Sequence, residues 1–276
     1  MNMRKCFYKE QNDKIINLIK CLMCTDQQLL IDRLIHALKG VYPADVVEYL
    51  LGVYYLEFGR VYVLGGGKYI ETEVSFRRAR RHLKRALRAK PQDAEILTAI
   101  GESYAKERKS ILAFTFCERA LALDTDNARL AWNLMEQGYL LARYETVLSC
   151  DATFHWETCA DHVRKFWCSV LCVFSAAALG DAMKTYEFAT RTLESYTSKL
   201  LQGDLATACL LDVLFLADRM DDLKEQYARC AQEVNCVSTP LLCVMREKEE
   251  WPSRQELTSQ ILAAFTPRNL IPHLAW

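Results

Sequence analysis

Apolar residues recur at helical spacing through most of the chain, and no run of alternating residues is long enough for a β-sheet core. Ile15, Leu18, Ile19 and Leu22, then Leu30, Ile31, Leu34, Ile35 and Leu38, follow i, i+3, i+4 on either side of Cys24-Thr25-Asp26, which predicts a helical hairpin. Leu51, Gly52 and Tyr55 fall on the next helix, and Phe76, Ala79, Leu83, Ala86 and Leu87 on the one after it. Ile100, Gly101 and Tyr104 are then answered by Ala113, Cys117 and Ala120. Trp132, Met135 and Tyr139 open a further helix, followed by a short, weakly patterned one at residues 144–150. The helical period persists at residues 156–179, 181–196, 204–217 and 221–234. A last helix spans residues 253–265, with Ser253 as N-cap and Glu256 three residues on. Pro267 and Pro272 make the stretch to Trp276 extended.

Two windows of this pattern overlay each other at a spacing of 34 residues. Gly52, Tyr55, Ala79, Leu83, Ala86 and Pro91 correspond to Gly101, Tyr104, Ala113, Cys117, Ala120 and Thr125, with a long stretch inserted inside the first window. Small residues at fixed helix positions let two antiparallel helices pack closely and then stack on the next pair. The pattern resembles the tetratricopeptide repeat (TPR) family. Counting back from Pro43 as a repeat-ending proline puts Ile31, Ile35 and Leu38 at the packing positions of a degenerate first repeat. Trp167, Phe174, Ala182, Tyr186 and Ala189 fit the template with one residue of slippage.

The resemblance implies an all-α fold, a TPR-like solenoid of helical hairpins wound as a right-handed superhelix, with a long insertion inside one repeat. The domains expected are an N-terminal hairpin at 1–44, TPR-like repeats at 45–143 with the insertion at 59–74, divergent helical repeats at 144–250, and a C-terminal helix and extended tail at 251–276. Within the insertion, Val61-Tyr62-Val63-Leu64 and Tyr69-Ile70-Glu71-Thr72 flank Gly65-Gly66-Gly67, which reads as a small β-hairpin or a flap.

Composition confirms a core, with half the residues hydrophobic, and charge adds an asymmetry: residues 1–100 carry 17 Lys/Arg against 11 Asp/Glu, and residues 101–276 carry 18 against 24. The 12 cysteines do not suggest a disulfide scaffold, because residues 1–10 are polar and lack the apolar stretch of a signal peptide. A reducing compartment is expected, cytoplasmic or nuclear, and not secretion. The longest apolar run, residues 166–179, holds 14 residues and falls short of a membrane span.

Arg77, Arg78, Arg80, Arg81, Lys84, Arg85, Arg88 and Lys90 place eight cations in 14 residues, with His82 among them. They suit an acidic protein or a nucleic-acid phosphate backbone, or else form a solvated face balanced by the acidic part of the chain. His155, Cys159 and His162, with Cys150 before them, lie at i, i+4, i+7 and make zinc sterically conceivable, against a reading of packed thiols and ordinary histidines. Gly65-Gly66-Gly67-Lys68 lacks the spacing of a phosphate-binding loop. No nucleophile or metalloprotease motif is present, so no catalytic residue and no cofactor are expected, and the chain reads as no enzyme.

In the resembled family, first helices line a groove that receives a peptide or helix from a partner. Here the first helices would present Tyr49, Leu50, Val53 and Leu56, then Glu95, Thr98, Glu102 and Lys106, unless the N-terminal hairpin already covers the apolar four. A heat-shock chaperone tail is not the expected partner: Tyr49, Val53 and Ala99 stand at the clamp positions and donate no charged hydrogen bond, and Arg129 and Asn133 would serve in one register only. The function expected is a non-enzymatic scaffold or adaptor that binds partner proteins through its helical-repeat surface, as a subunit of a multiprotein complex. The apolar content of the C-terminal helices motivates the subunit role. The alternative is an RNA-associated repeat protein that uses helix 77–90.

Overall fold

A computed structural model describes residues 14–15, 17–18, 28–64, 69–154, 162–196, 204–230, 239–247 and 253–265. The chain divides into two compact units, Met1–Asp124 and Thr125–Trp276. Unit 1 contains α1 (Gln28–Val41), α2 (Ala44–Leu64), α3 (Tyr69–Ala89), α4 (Ala94–Lys106) and α5 (Ser110–Leu121). Unit 2 contains α6 (Ala128–Leu140), α7 (Tyr144–Thr153), α8 (His162–Ala178), α9 (Ala182–Ser195), α10 (Asp204–Leu216), α11 (Met220–Cys230), α12 (Pro240–Glu247) and α13 (Arg254–Ala264). No strand occurs among the described residues.

Within each unit the helices pair as the 34-residue echo requires. In unit 1, α2 packs on α3 and α4 on α5, α3 touches the following α4, and the two first helices α2 and α4 touch each other. In unit 2 the pairs are α6 with α7, α8 with α9, α10 with α11 and α12 with α13, and the first helices α6, α8, α10 and α12 meet in sequence. This is the neighbour pattern of stacked helical hairpins.

The residues of the echo are the ones that close each hairpin. Ala79, Leu83, Ala86, Ala113 and Ala120 are fully buried. A Cβ on Gly52 would lie 2.5 Å from Cγ of Leu83, and one on Gly101 would lie 3.0 Å from Sγ of Cys117. Both glycines therefore serve close helix approach at equivalent positions. Asp93 and Asn127, also 34 residues apart, cap α4 and α6 by accepting backbone N–H bonds.

A second repeat signature lies in the backbone, and it runs further than the side chains suggest. Arg108, Ala142, Gly180 and Asp218 all adopt positive φ, between 54° and 73°. Each is followed by an N–H that donates five residues back: Lys109 to Tyr104, Arg143 to Gly138, Asp181 to Ala176 and Arg219 to Leu214, at 2.8–3.0 Å. The same left-handed helix stop thus recurs at every described turn between a first and a second helix from α4 to α11.

The insertion at 59–74 is helical on both sides of residues 65–68, which lie outside the described residues. The β-hairpin reading of 61–64 and 69–72 is therefore corrected: α2 and α3 are 21 residues each, against 13 and 12 in α4 and α5. The physical reason is that a nucleated helix gains a hydrogen bond with each added residue, which outweighs the weak β preference of Val61 and Val63. At the N-terminal end, Ile31, Ile35 and Leu38 of α1 are buried, Ile31 and Ile35 against Tyr54 and Leu38 against Leu50, with Ile15 packed on both clusters. The predicted turn Cys24-Thr25-Asp26, with the rest of residues 19–27, lies outside the described residues.

In unit 2 the apolar run is a central helix. Residues 166–176 of α8 are all buried, and so are residues 206–217 along α10. Among the described residues no helix is long and apolar enough to cross a membrane. Arg191 of α9 joins three helices by donating to both carboxylate oxygens of Asp151 on α7, at 3.0 and 2.6 Å, and from Nε to Ser169 of α8 at 3.0 Å.

Candidate protein-interaction surface

The four apolar residues expected along the first repeat's groove do not share one environment. Leu50 is 1% exposed among Leu38, Val46 and Val47, and Leu56 is 2% exposed in the cluster of Phe76, Leu83 and Ile100. Both are corrected from groove residues to core residues, because α1 covers one face of α2 while α3 and α4 cover the other. Tyr49 and Val53 are half-buried. On α4, Thr98 is buried and donates its hydroxyl to the Ala94 carbonyl, while Glu95, Glu102 and Lys106 stay half-exposed.

The cations of α3 divide by helix face. Arg80 is buried and donates to the Ser103 carbonyl at 3.2 Å and to Glu107 at 2.6 Å, its guanidinium 4.6 Å from the Tyr104 ring centroid. It joins α3 to α4 and is withdrawn from the interaction surface, a correction that follows from the approach of Glu107, 27 residues on. Lys84 donates to the Tyr104 hydroxyl at 3.1 Å. Arg77 pairs at 3.9 Å with Glu73, and Arg85 at 3.4 Å with Glu48 of α2. Lys90 pairs at 2.9 Å with Asp45, and that hydrogen bond holds the Asp45 carboxyl below the usual carboxylate range.

Arg78, Arg81, Arg85 and Arg88 stand at i, i+3, i+7, i+10, which puts them on one exposed stripe of α3. Arg81 and Arg88 form no ion pair among the described residues. The aromatic rings nearby are already covered. His82 stacks on Tyr55 at 5.5 Å and donates from Nδ1 to the Glu48 carboxylate at 2.7 Å, Arg78 approaches the same ring at 5.8 Å, and Tyr104 carries Arg80 and Lys84. Sequence reading missed the acidic partners Asp45, Glu48 and Glu107. The signal for the first two was available, since antiparallel pairing brings the first turn of α2 beside the last turns of α3.

His155 and Cys159 of the conceivable zinc set lie outside the described residues. Cys150 is buried, its thiol pushed up to about 12 by burial first and then by Asp151, and His162 is exposed at the start of α8. Among the described residues no group of three or more His, Cys, Asp or Glu is arranged to hold a metal ion. Cys168, Cys172 and Cys209 are likewise buried with raised thiol pKa, behaving as small apolar groups in the core.

No family model matches the sequence, and no curated protein matches it. Among solved structures the chain is similar to PilF of Pseudomonas aeruginosa, at 17% identity over 80% of this chain and 92% of that one, with a TM-score of 0.50. It is also similar to two structures of MamA, at 15% and 14% identity over 68% and 66% of this chain and 98% of each, with TM-scores of 0.46 and 0.42. PilF and MamA are TPR-containing proteins. With the repeated glycine contacts, caps and left-handed turns, the likeness to PilF establishes that this chain has a divergent, all-α, TPR-like fold.

Proposed function

We propose that this chain is a non-enzymatic scaffold that binds partner proteins through its helical-repeat surface, as a subunit of a multiprotein complex. The observation that carries the reading is the stripe of Arg78, Arg81, Arg85 and Arg88, in which Arg81 and Arg88 keep their charge without an ion pair among the described residues. Four guanidinium groups along about 15 Å of helix match an acidic helix or peptide, because Arg pairs carboxylates bidentately. A reducing location, cytosol or nucleus, belongs to the same proposal and is supported by thiols that serve as core packing at Cys117, Cys168 and Cys172.

RNA association through the same stripe is the second reading, and the unpaired arginines favour it equally. One feature weighs against it. Single-stranded RNA binds by stacking bases on open aromatic faces, and Tyr55 and Tyr104 are covered by the protein's own His and cationic side chains.

The test uses full-length protein and the Arg81→Glu/Arg88→Glu double variant, which leaves the buried Arg80 in place. The probes are a Glu-rich helical peptide and 20-nucleotide single- and double-stranded RNA, titrated at two salt concentrations. We expect the variant to bind the acidic peptide about tenfold more weakly, and the wild-type affinity for that peptide to fall with salt. Unchanged peptide affinity removes the stripe as the docking surface. RNA binding that is lost in the variant, with a steep salt slope, transfers the assignment to nucleic acid.

A further inference from the structure

Within unit 2 the last helix does not simply close the row of hairpins; it touches three first helices in turn. Arg254, at its start, donates to the Leu216 carbonyl at 3.4 Å and pairs with Asp218 at 2.9 Å, both at the C-terminal end of α10. Phe265, at its end, stacks on Phe174 of α8 with ring centroids 3.7 Å apart and meets Tyr139 of α6 edge-on at 5.3 Å. Between these ends Leu257 and Ile261 are 0% and 1% exposed. Leu257, Ile261 and Phe265 thus form an i, i+4, i+8 stripe, while Gln255, Ser259, Gln260 and Ala263 face solvent. An 11-residue helix is about 17 Å long, enough to cross neighbouring helices set about 8–10 Å apart.

That is the geometry of an amphipathic ligand helix seated on a groove. The helix also carries its own N-cap, Ser253 accepting from the Glu256 N–H. Its hold is slight beside that of the elements under it: apart from its pairing with the short α12, two aliphatic side chains, one half-buried ring and a half-exposed Arg254 anchor α13, whereas eleven consecutive residues of α8 are buried.

We propose that α13 is a releasable ligand, bound in cis, of the face built by α6, α8 and α10. The same face accepts in its place a partner helix with apolar side chains at i, i+4 and i+8, the third aromatic, and a cation in the first turn. This surface belongs to unit 2 and the arginine stripe to unit 1, and the proposal does not depend on that stripe.

The test uses full-length protein and a fluorescein-labelled peptide of residues 253–265. The probe is titrated into wild type and into a full-length Leu257→Ser/Ile261→Ser variant, whose own α13 can no longer compete. The variant is expected to bind the peptide at least about tenfold more tightly than wild type, and a Phe265→Ala peptide to lose that binding. Equal or absent binding in a variant of unchanged helical circular dichroism overturns the proposal. Should the variant fail to fold, hydrogen exchange on the wild-type chain decides: α13 amides are expected to exchange far faster than those of α8, and faster still with excess peptide. Protection of α13 equal to that of α8, unaffected by peptide, overturns it as well.

Discussion

Gly52 and Gly101 occupy equivalent positions but differ in what stands opposite. An added Cβ at 52 meets Cγ of Leu83 at 2.5 Å and its backbone N at 3.2 Å, neither of which can swing aside. At 101 it meets the terminal Sγ of Cys117 at 3.0 Å, with the nearest backbone atom at 3.4 Å. Gly52→Ala should therefore cost about 1–3 kcal/mol, and Gly101→Ala should stay within about 1 kcal/mol of wild type, because improved helix propensity offsets the tighter contact. Urea denaturation of the two variants side by side checks the order; equal costs would mean that α2 and α3 relax apart more easily than the contact implies. Asp212 is the residue with the clearest pH signature. It is buried, accepts one bond from Thr239 at 3.3 Å, and burial raises its pKa to about 8 from an ordinary 3.8. Between those values the folded state holds a proton that the unfolded chain has released, so this group's contribution to stability falls as pH rises from about 4 to 8 and is level above. Asp212→Asn should thus stabilise the protein little near pH 4 and by on the order of a few kcal/mol near pH 8. Thermal melts at the two pH values read the difference, and a pH-independent gap would show that Asp212 is ionised in the fold.

At the scale of elements, hairpins are joined by arginines, Arg80 buried and Arg191 half-buried, as well as by apolar contacts. Arg191 binds α9 to α7 through Asp151 and to α8 through Ser169, with Asp151 5% exposed. Removing the cation leaves a buried carboxylate unmatched, so Arg191→Met should cost about 3–5 kcal/mol. Adding Asp151→Asn to it should restore at least about 1 kcal/mol, since the stranded charge is gone. A denaturation cycle over the four proteins measures the coupling, and additive single effects would dissolve the tie. The elements themselves were largely legible in the sequence. Leu83 and Ala86 announce their burial through spacing, and Ser253 announces its cap. The helix Pro240–Glu247 was not anticipated as a separate element, because eight residues hold too few turns for a period to emerge. Of the two expectations for the insertion, a β-hairpin or a flap, the hairpin fails because the local preference of Val61-Tyr62-Val63 is overridden by the two flanking helices.

At the scale of the molecule, the two surfaces proposed for partners separate what each kind of information supplies. The basic run from Arg77 to Lys90 could be counted from the sequence. That Arg80 leaves it for the core, and that Arg85 pairs within the fold, depends on Glu107 and Glu48, residues distant in the chain. The row of first helices under α13 had no signature beyond a capped, amphipathic C-terminal segment. Repeat number shows the same division. The side-chain echo fades after residue 125, yet Ala142, Gly180 and Asp218 repeat the left-handed turn of Arg108, and three of the four are not glycine. The sequence by itself determined the helices, their 34-residue repeat and the concentration of positive charge, because those follow from interactions between residues three or four apart. Only the tertiary structure decided which cations are spent inside, which apolar faces are covered and what occupies the first helices of unit 2. Those outcomes depend on the rotational register of one helix against another, which packing sets and local spacing does not encode.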